Sequence, residues 1–372
     1  MRVLLDFSNL RAGGGLQVAS ATLADLARPE VQLRFAEILE GAELWISPAV
    51  ARNLTVDRRA LPGKVVVRET KPSLIAPLKP PRRAFDVRFT LFGPTYSGRV
   101  ARREITGFAE VTLVYLPGEY GQTISQQPLR QRLGNWVKRQ LVRRFDWYVV
   151  EAPAIAERLT GRYGIAGDRI FVVPNRPHPI FCDSPILERS DAPADPRQLH
   201  VAFPTRAYPH KNMELIGPAG DRFHALAGKD LRVHVTLRPD EWAALSPSVR
   251  RWMVNHGEST LPDVLRIYRQ VQGVFFSSKL EASSGTPLEA NVLGLPLLAS
   301  DRDFIRGSAR AAFLFDPEDA DSAAQALARL DRAGAQAWDE ASIRAREYRD
   351  ELARTSRTEQ YLTLVQRALR EL

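Results

Sequence analysis

Two carboxylates, Glu281 and Glu289, stand with seven residues between them in the segment 273–296. The apolar run that ends at Ser277 reads as a strand, the small residues up to Gly285 as a loop, and a helix opens at Thr286. Pro287 takes its first position, where a missing N–H costs nothing. A helix start behind a Gly/Ser loop turns free amides and the positive end of the macrodipole outward, which suits an anion such as a diphosphate. The amides of Ser284, Gly285, Thr286 and Leu288 would then meet phosphate oxygens, and the two glutamates would meet sugar or ribose hydroxyls. A second account stays open. Thr286-Pro-Leu-Glu289 also spells a capping box, which would explain Glu289 without any ligand. A Glu-x7-Glu pair is also expected about once by chance in a chain of this length.

Arg206 and Lys211 follow the strand that ends at Phe203. Fixed cations there could stabilise the negative charge left when a nucleoside diphosphate departs, without a metal. They could also be two solvated cations, although a Lys at a helix start opposes the dipole. Gly13, Gly14 and Gly15 follow the first strand and allow either a close ligand approach or a permissive turn. They do not form G-x-G-x-x-G, so no dinucleotide fingerprint is present. His256, before Gly257, reads from the residues alone as an ordinary histidine in a turn. Asp301-Arg-Asp303 follows a strand directly and reads as a turn. The six histidines show no zinc spacing, so no metal is expected.

Taken together, Glu281-x7-Glu289 in its strand–loop–helix setting resembles the E-x7-E element of the retaining, nucleotide-sugar-dependent glycosyltransferases of the large family numbered four. Phe203-Pro-Thr-Arg206-Ala-Tyr-Pro-His-Lys211-Asn212 is similar to that family's Arg-x4-Lys phosphate grip, Gly13–Gly15 to its glycine loop, and Val172-Val-Pro-Asn175 to its interdomain junction. The resemblance implies a GT-B fold, an α/β architecture of two Rossmann-like domains facing across a cleft, with the last helix returning to the first domain. It implies that Glu281, Arg206 and Lys211 act in catalysis. Glu289, Ser284, Gly285, Thr286, Leu288, Gly14, Gly15 and His256 would bind the donor. No cofactor is implied beyond the nucleotide-sugar co-substrate, linked to UDP, GDP or dTDP. Many members carry a His in the first domain that touches the donor sugar. The corresponding stretch here, Leu113–Gln122, has none, and Glu119 or Tyr120 would line the acceptor side instead.

The elements that must hold these residues come in two sets. Apolar runs at Val3–Phe7, Glu43–Ile46, Lys64–Val67, Thr112–Leu116, Trp147–Val150 and Ile170–Val173 alternate with helical stretches such as Leu16–Leu26. A second set follows at His200–Phe203, Leu231–Leu237, Val271–Ser277 and Leu295–Ala299. Short continuous apolar runs between helices predict parallel sheets covered on both faces. Domains are expected at 1–178 and 199–355, with a linker at 179–198 and an amphipathic helix at 356–372. The Pro-rich stretch Lys71–Arg83 reads as a loop.

The chain has 372 residues and 52 Lys+Arg against 43 Asp+Glu, giving a formal charge of +9. Its 44% hydrophobic content excludes a mainly disordered or collagenous chain. Cys182 is the lone cysteine, which excludes a disulfide framework and fits a reducing cytoplasm. No apolar run is long enough to span a bilayer. The segment 128–144 sets Leu129, Leu133, Trp136, Val137 and Leu141 against six basic residues. That suits either an anionic membrane face or a domain helix with a solvated basic side. No helix-turn-helix, RNP or zinc module appears, so nucleic acid is not an expected partner. The function expected is sugar transfer to a glycan or lipid-linked saccharide in bacterial surface polysaccharide assembly. The alternatives are a nucleotide-sugar epimerase or hydrolase of the same architecture and a non-enzymatic protein that binds polyanions or membranes.

Overall fold

A computed structural model describes residues 1–11, 14–70, 83–93, 97–115, 129–188, 195–307, 309–310, 313–354 and 356–372. The chain divides into two units, each around its own apolar core. The first comprises Met1–Leu116, Gln127–Asn175 and Thr355–Leu372, and the second is built on Arg176–Arg354.

The first unit's sheet contains β1 (Val3–Phe7), β2 (Glu43–Ile46), β3 (Lys64–Val67), β4 (Phe85–Gly93), β5 (Ala101–Phe108), β6 (Trp147–Val150) and β7 (Ile170–Val172), in the order β3-β2-β1-β4-β5-β6-β7. The second unit's sheet contains β8 (Gln198–Phe203), β9 (Asp230–Val235), β10 (Met253–Asn255), β11 (Gly273–Phe276), β12 (Leu297–Ser300) and β13 (Phe313–Phe315), in the order β10-β9-β8-β11-β12-β13. Every strand pairing among the described residues is parallel. Each sheet starts in its middle, runs outward to one edge, then returns and runs to the other. The strand order therefore reverses between β1 and β4, and between β8 and β11. In open α/β sheets a ligand sits beyond the carboxyl ends of the strands at such a reversal.

The apolar runs form strands because both sheet faces are covered. Val274, Phe275 and Phe276 of β11 are wholly buried, as are Leu298 and Ala299 of β12. In the first unit one face of the sheet is apolar and the other is partly ionic. Arg88 of β4, only 1% exposed, donates through Nε to Asp6 Oδ2 at 2.9 Å and faces Glu104 Oε2 at 3.5 Å.

The final helix, Arg357–Arg370, belongs to the first unit and places Tyr361, Leu362 and Val365 in its core. Ser356 and Glu359 close a reciprocal capping box at its start. Arg357 binds Glu151 and Tyr361, and reaches Asn175 Oδ1 at 2.5 Å.

The structure departs from the sequence reading in several places. The run around Thr112 is a short helix, Val111–Val114, whose Leu113 carbonyl accepts from Tyr163 Oη at 2.6 Å. The strands β4, β5, β10 and β13 have no counterpart in the sequence reading, although Phe85–Leu91 of β4 alternates apolar and polar residues as a strand does. Residues 179–188, read as linker, are part of the second unit. A helix runs Pro179–Cys182, and Phe181 and Leu187 lie in that unit's core. The loop expected at Lys71–Arg83 lies outside the described residues except for Arg83.

Candidate functional site

Lys211 and Glu281 form an ion pair, each side chain 12% exposed. Lys211 ends a single helical turn, Pro209–Lys211, in the loop after β8. Glu281 lies in the loop after β11. Since β8 and β11 flank the strand-order reversal, the pair sits where this topology places ligands. The two loops are tied together. Asn212 turns the chain through a left-handed conformation, φ 57°, which Asn tolerates better than most residues. Ser277 Oγ donates to the Lys211 carbonyl at 3.0 Å, and the Lys279 amide to the His210 carbonyl at 2.8 Å.

Two residues not singled out in the sequence join this pair. Ser278 Oγ donates to Glu281 Oε1 at 2.8 Å. His210 Nε2 lies 3.8 Å from the same oxygen, and burial keeps its imidazole below the usual titration range. The signal for both was adjacency alone: His210 precedes Lys211, and Ser278 sits three residues before Glu281. Lys211 Nζ also lies 5.4 Å from the centre of the Phe276 ring.

The helix after this loop runs Gly285–Leu293 with Ser284 as its N-cap. Pro287 is therefore its third residue rather than its first, and the helix begins two residues earlier than expected. Ser284 makes no side-chain cap, and the Thr286–Glu289 capping box does not form. Thr286 Oγ1 instead donates to the Pro204 carbonyl at 3.3 Å, fixing the helix start to the loop after β8. Leu288 is buried in the helix. Glu289 accepts from Tyr268 Oη at 2.6 Å. Glu289 is half-buried, and its removal from water pushes the carboxyl up to about 7, against a smaller opposing pull from that hydrogen bond.

Arg206 lies apart from the Lys211–Glu281 pair. Its Nε is 3.0 Å from both oxygens of Glu241, and its Nη1 is 3.0 Å from Glu258 Oε1. The guanidinium thus ties the loop after β8 to the helix Pro239–Ala244 that follows β9 and to the loop after β10.

His256 follows β10, is exposed, and ends a chain of three imidazoles. His200 Nδ1 is 2.9 Å from His234 Nε2, and His234 Nδ1 is 2.9 Å from His256 Nε2. His234 is buried, and burial and its two neighbours lower it to about 3. Asp301 accepts from Arg306 Nε and Nη2 at 2.5 and 2.6 Å, and Asp303, read as part of a turn, instead opens the short helix Asp303–Arg306. No group of metal-binding side chains appears among the described residues.

In the first unit Gly14 and Gly15 open the helix Gly14–Leu26 after β1. A Cβ on Gly14 would meet nothing, and one on Gly15 would only touch Leu10 and Phe92. Nothing in the fold around Gly14 therefore demands a glycine. Gly13, Glu119 and Tyr120 lie outside the described residues. The basic segment forms the helix Leu129–Val142, with Trp136 57% exposed. Lys138 faces Glu110 at 3.4 Å, and Arg143 donates to the Tyr163 carbonyl at 2.9 Å, so part of its charge is used within its own unit. No described helix is long and apolar enough to cross a membrane.

No family model matches the sequence, and no curated protein does. Solved structures do match. The chain is similar to Anabaena HepE in complex with UDP, at 13% identity, TM-score 0.62 and 100% of both chains. It is similar to sucrose-phosphate synthase from Thermosynechococcus elongatus, at 14% identity, TM-score 0.59 and 100% of both chains. It is also similar to the lipopolysaccharide outer core galactosyltransferase WaaB, at 13% identity and TM-score 0.57, covering 100% of this chain and 99% of that one. With two parallel sheets that share one strand order, these likenesses establish the fold of the chain as GT-B.

Proposed function

We propose that the protein is a retaining glycosyltransferase. It moves a sugar from a nucleotide-sugar donor to a glycan or lipid-linked saccharide in bacterial surface polysaccharide assembly. The observation that carries this reading is the Lys211–Glu281 pair at the strand-order reversal of the second unit, beside the start of the helix Gly285–Leu293. Support comes from structural neighbours that hold UDP and UDP-glucose.

In this reading the donor's diphosphate meets Lys211 and the first amides of that helix, from Gly285 onward. Helix-end amides and a fixed ammonium stabilise the charge that grows as the diphosphate leaves, so no metal is required. Glu281, freed from Lys211 by the incoming phosphate, accepts from sugar hydroxyls while Ser278 holds its orientation. Glu289 accepts from the ribose. The leaving phosphate takes the acceptor's proton, the sugar keeps its configuration, and no protein nucleophile takes part. Arg206, bound by Glu241 and Glu258, serves as a brace for the three segments it joins unless the donor's charge displaces a carboxylate. Gly14 and Gly15 leave room for the donor, and Glu119 and Tyr120 serve the acceptor. His256 contacts the base. The exposed Trp136 and the exposed Arg143 and Arg144 would place the enzyme on the inner face of the cytoplasmic membrane.

The test is kinetic. Lys211→Ala and Glu281→Ala should each lower turnover at least about a hundredfold, as loss of electrostatic stabilisation in a buried site does. The melting temperature should fall as well, since each variant leaves its partner's charge mostly buried and unpaired, so turnover is compared well below it. Arg206→Ala should cost less activity than either. Variants that keep full turnover would overturn the assignment. Rapid conversion of the donor with no acceptor present would point to an epimerase or hydrolase instead.

A further inference from the structure

We propose that Tyr268 is a positioning residue for the nucleotide: it holds one oxygen of Glu289 so that the other is presented at the start of the helix Gly285–Leu293, and ribonucleotide binding there draws on the ionised carboxylate, so affinity climbs with pH. This rests on the reading that the second unit binds a nucleoside diphosphate.

The geometry comes first. Tyr268 closes the helix Leu261–Tyr268 and is wholly buried, its ring edge-on to Phe181 at 5.9 Å. Its hydroxyl takes Glu289 Oε2. The other oxygen, Oε1, turns back along its own helix and lies 3.0 Å from where a Cβ on Gly285 would stand. The carboxylate therefore has one committed oxygen and one beside the helix's first residue, where a larger residue than glycine would push it aside.

The chemistry follows from the inventory of donors. A ribose diol brings hydroxyl donors, and only the ionised carboxylate accepts at Oε1 without a competing proton. The groups facing Glu289 are few. Tyr268 reaches it from one helix, and Thr286 interacts with Tyr268 from its own. No charged side chain among the described residues acts on the carboxylate, so burial governs it and the tyrosine hydroxyl is its one local counterweight. The proton released on binding goes to the buffer.

Two measurements on the full chain decide the matter. The first is a carboxyl-carbon NMR titration of the ligand-free protein, with the Glu289 signal identified by its loss in Glu289→Gln. Glu289 should titrate at about 7, and Tyr268→Phe should move the midpoint higher, since it removes a donor that favours the charged form. The second is calorimetric titration with UDP and with GDP from pH 5.5 to 9. Wild-type affinity for whichever binds should rise about tenfold per pH unit below the midpoint and level off above it. Tyr268→Phe should displace that curve to higher pH and recover much of its affinity at the top of the range. Glu289→Gln should bind weakly and keep only the shallow slope that the nucleotide's own terminal phosphate adds as it ionises at about pH 6.

A tyrosine with only a packing role would lower affinity by one factor at every pH, and that result overturns the proposal. So does a Glu289 midpoint in the ordinary carboxylate range, or one unmoved in Tyr268→Phe. If the midpoints behave as expected but neither nucleotide binds, the nucleotide reading falls and takes the binding half of the proposal with it.

Discussion

Glu289 and Glu281 are chemically identical side chains whose surroundings set them apart. Glu281 has an ammonium, a hydroxyl and a nearby imidazole around it. Glu289 has a phenol and little else, so its charge is costly to keep in the fold. Its folded-state pKa lies above that of an unfolded glutamate. The stability this contributes is present at low pH and is lost as pH rises through about 7. Glutamine accepts the same phenol hydrogen bond and never ionises. Glu289→Gln should therefore raise the melting temperature by a few degrees at pH 8 and by much less at pH 5, while weakening nucleotide binding. Differential scanning fluorimetry at the two pH values checks this, and an equal shift at both would show that the carboxyl is not held protonated by its site. A working capping box would predict little change at either pH, since glutamine also serves at that position.

At the scale of elements, the last helix is fixed to the first unit by one buried cation. Arg357 is 7% exposed and Glu151 is 8% exposed. Removing the arginine leaves that glutamate buried and unpaired, a change that costs about 3–5 kcal/mol. Arg357→Ala should lose stability on that scale in denaturant unfolding, and the double replacement Arg357→Met with Glu151→Leu should lose clearly less. Equal losses would mean the helix is held by its apolar face alone. The same kind of interaction explains which elements were legible in the sequence. Strands β1, β6, β8, β11 and β12 are nearly all apolar, because helices cover both of their faces, and they read directly. The strand β5 begins Ala-Arg-Arg-Glu and looks like surface sequence, while β4 alternates as a strand does and was passed over because the reading sought continuous apolar runs. Arg88 pairs with Asp6 and Glu104 inside the sheet face, so charged residues there are buried as well. The opposite error occurred at Val111–Val114, whose β-branched residues suggest a strand. In the site, Lys211, Glu281, Glu289 and Arg206 were legible as members of motifs, but their partners were not. Lys211 with Glu281, Tyr268 with Glu289, and Arg206 with Glu241 and Glu258 are contacts between separate segments that no spacing announces.

At the scale of the whole molecule, two cores imply two sensitivities that one set of measurements can tell apart. The second unit carries the imidazole chain across three neighbouring strands, β8, β9 and the end of β10. Burial lowers the affinity of all three rings for protons, His234 furthest, and neighbouring positive charge adds to the effect on His200 and His234. The sign follows. The unfolded chain gains protons below pH 6.5 that the folded unit refuses, so the contribution to stability is full above that value and is lost as pH falls. His234, lowered furthest, gives a limiting slope of about 1.4 kcal/mol per pH unit, or roughly 3–6 °C in a unit of this size, and the other two rings add less. The first unit has no comparable histidine among its described residues. Calorimetric scans from pH 7 to pH 5 should therefore lower the unfolding transition that UDP raises, and leave the transition that Arg357→Ala lowers much less affected. His234→Leu removes the most strongly resisted protonation and should flatten the pH slope of the UDP-sensitive transition, whatever it does to its height at neutral pH. A slope unchanged in that variant would mean that the buried imidazole is not what makes this half of the protein sensitive to acid.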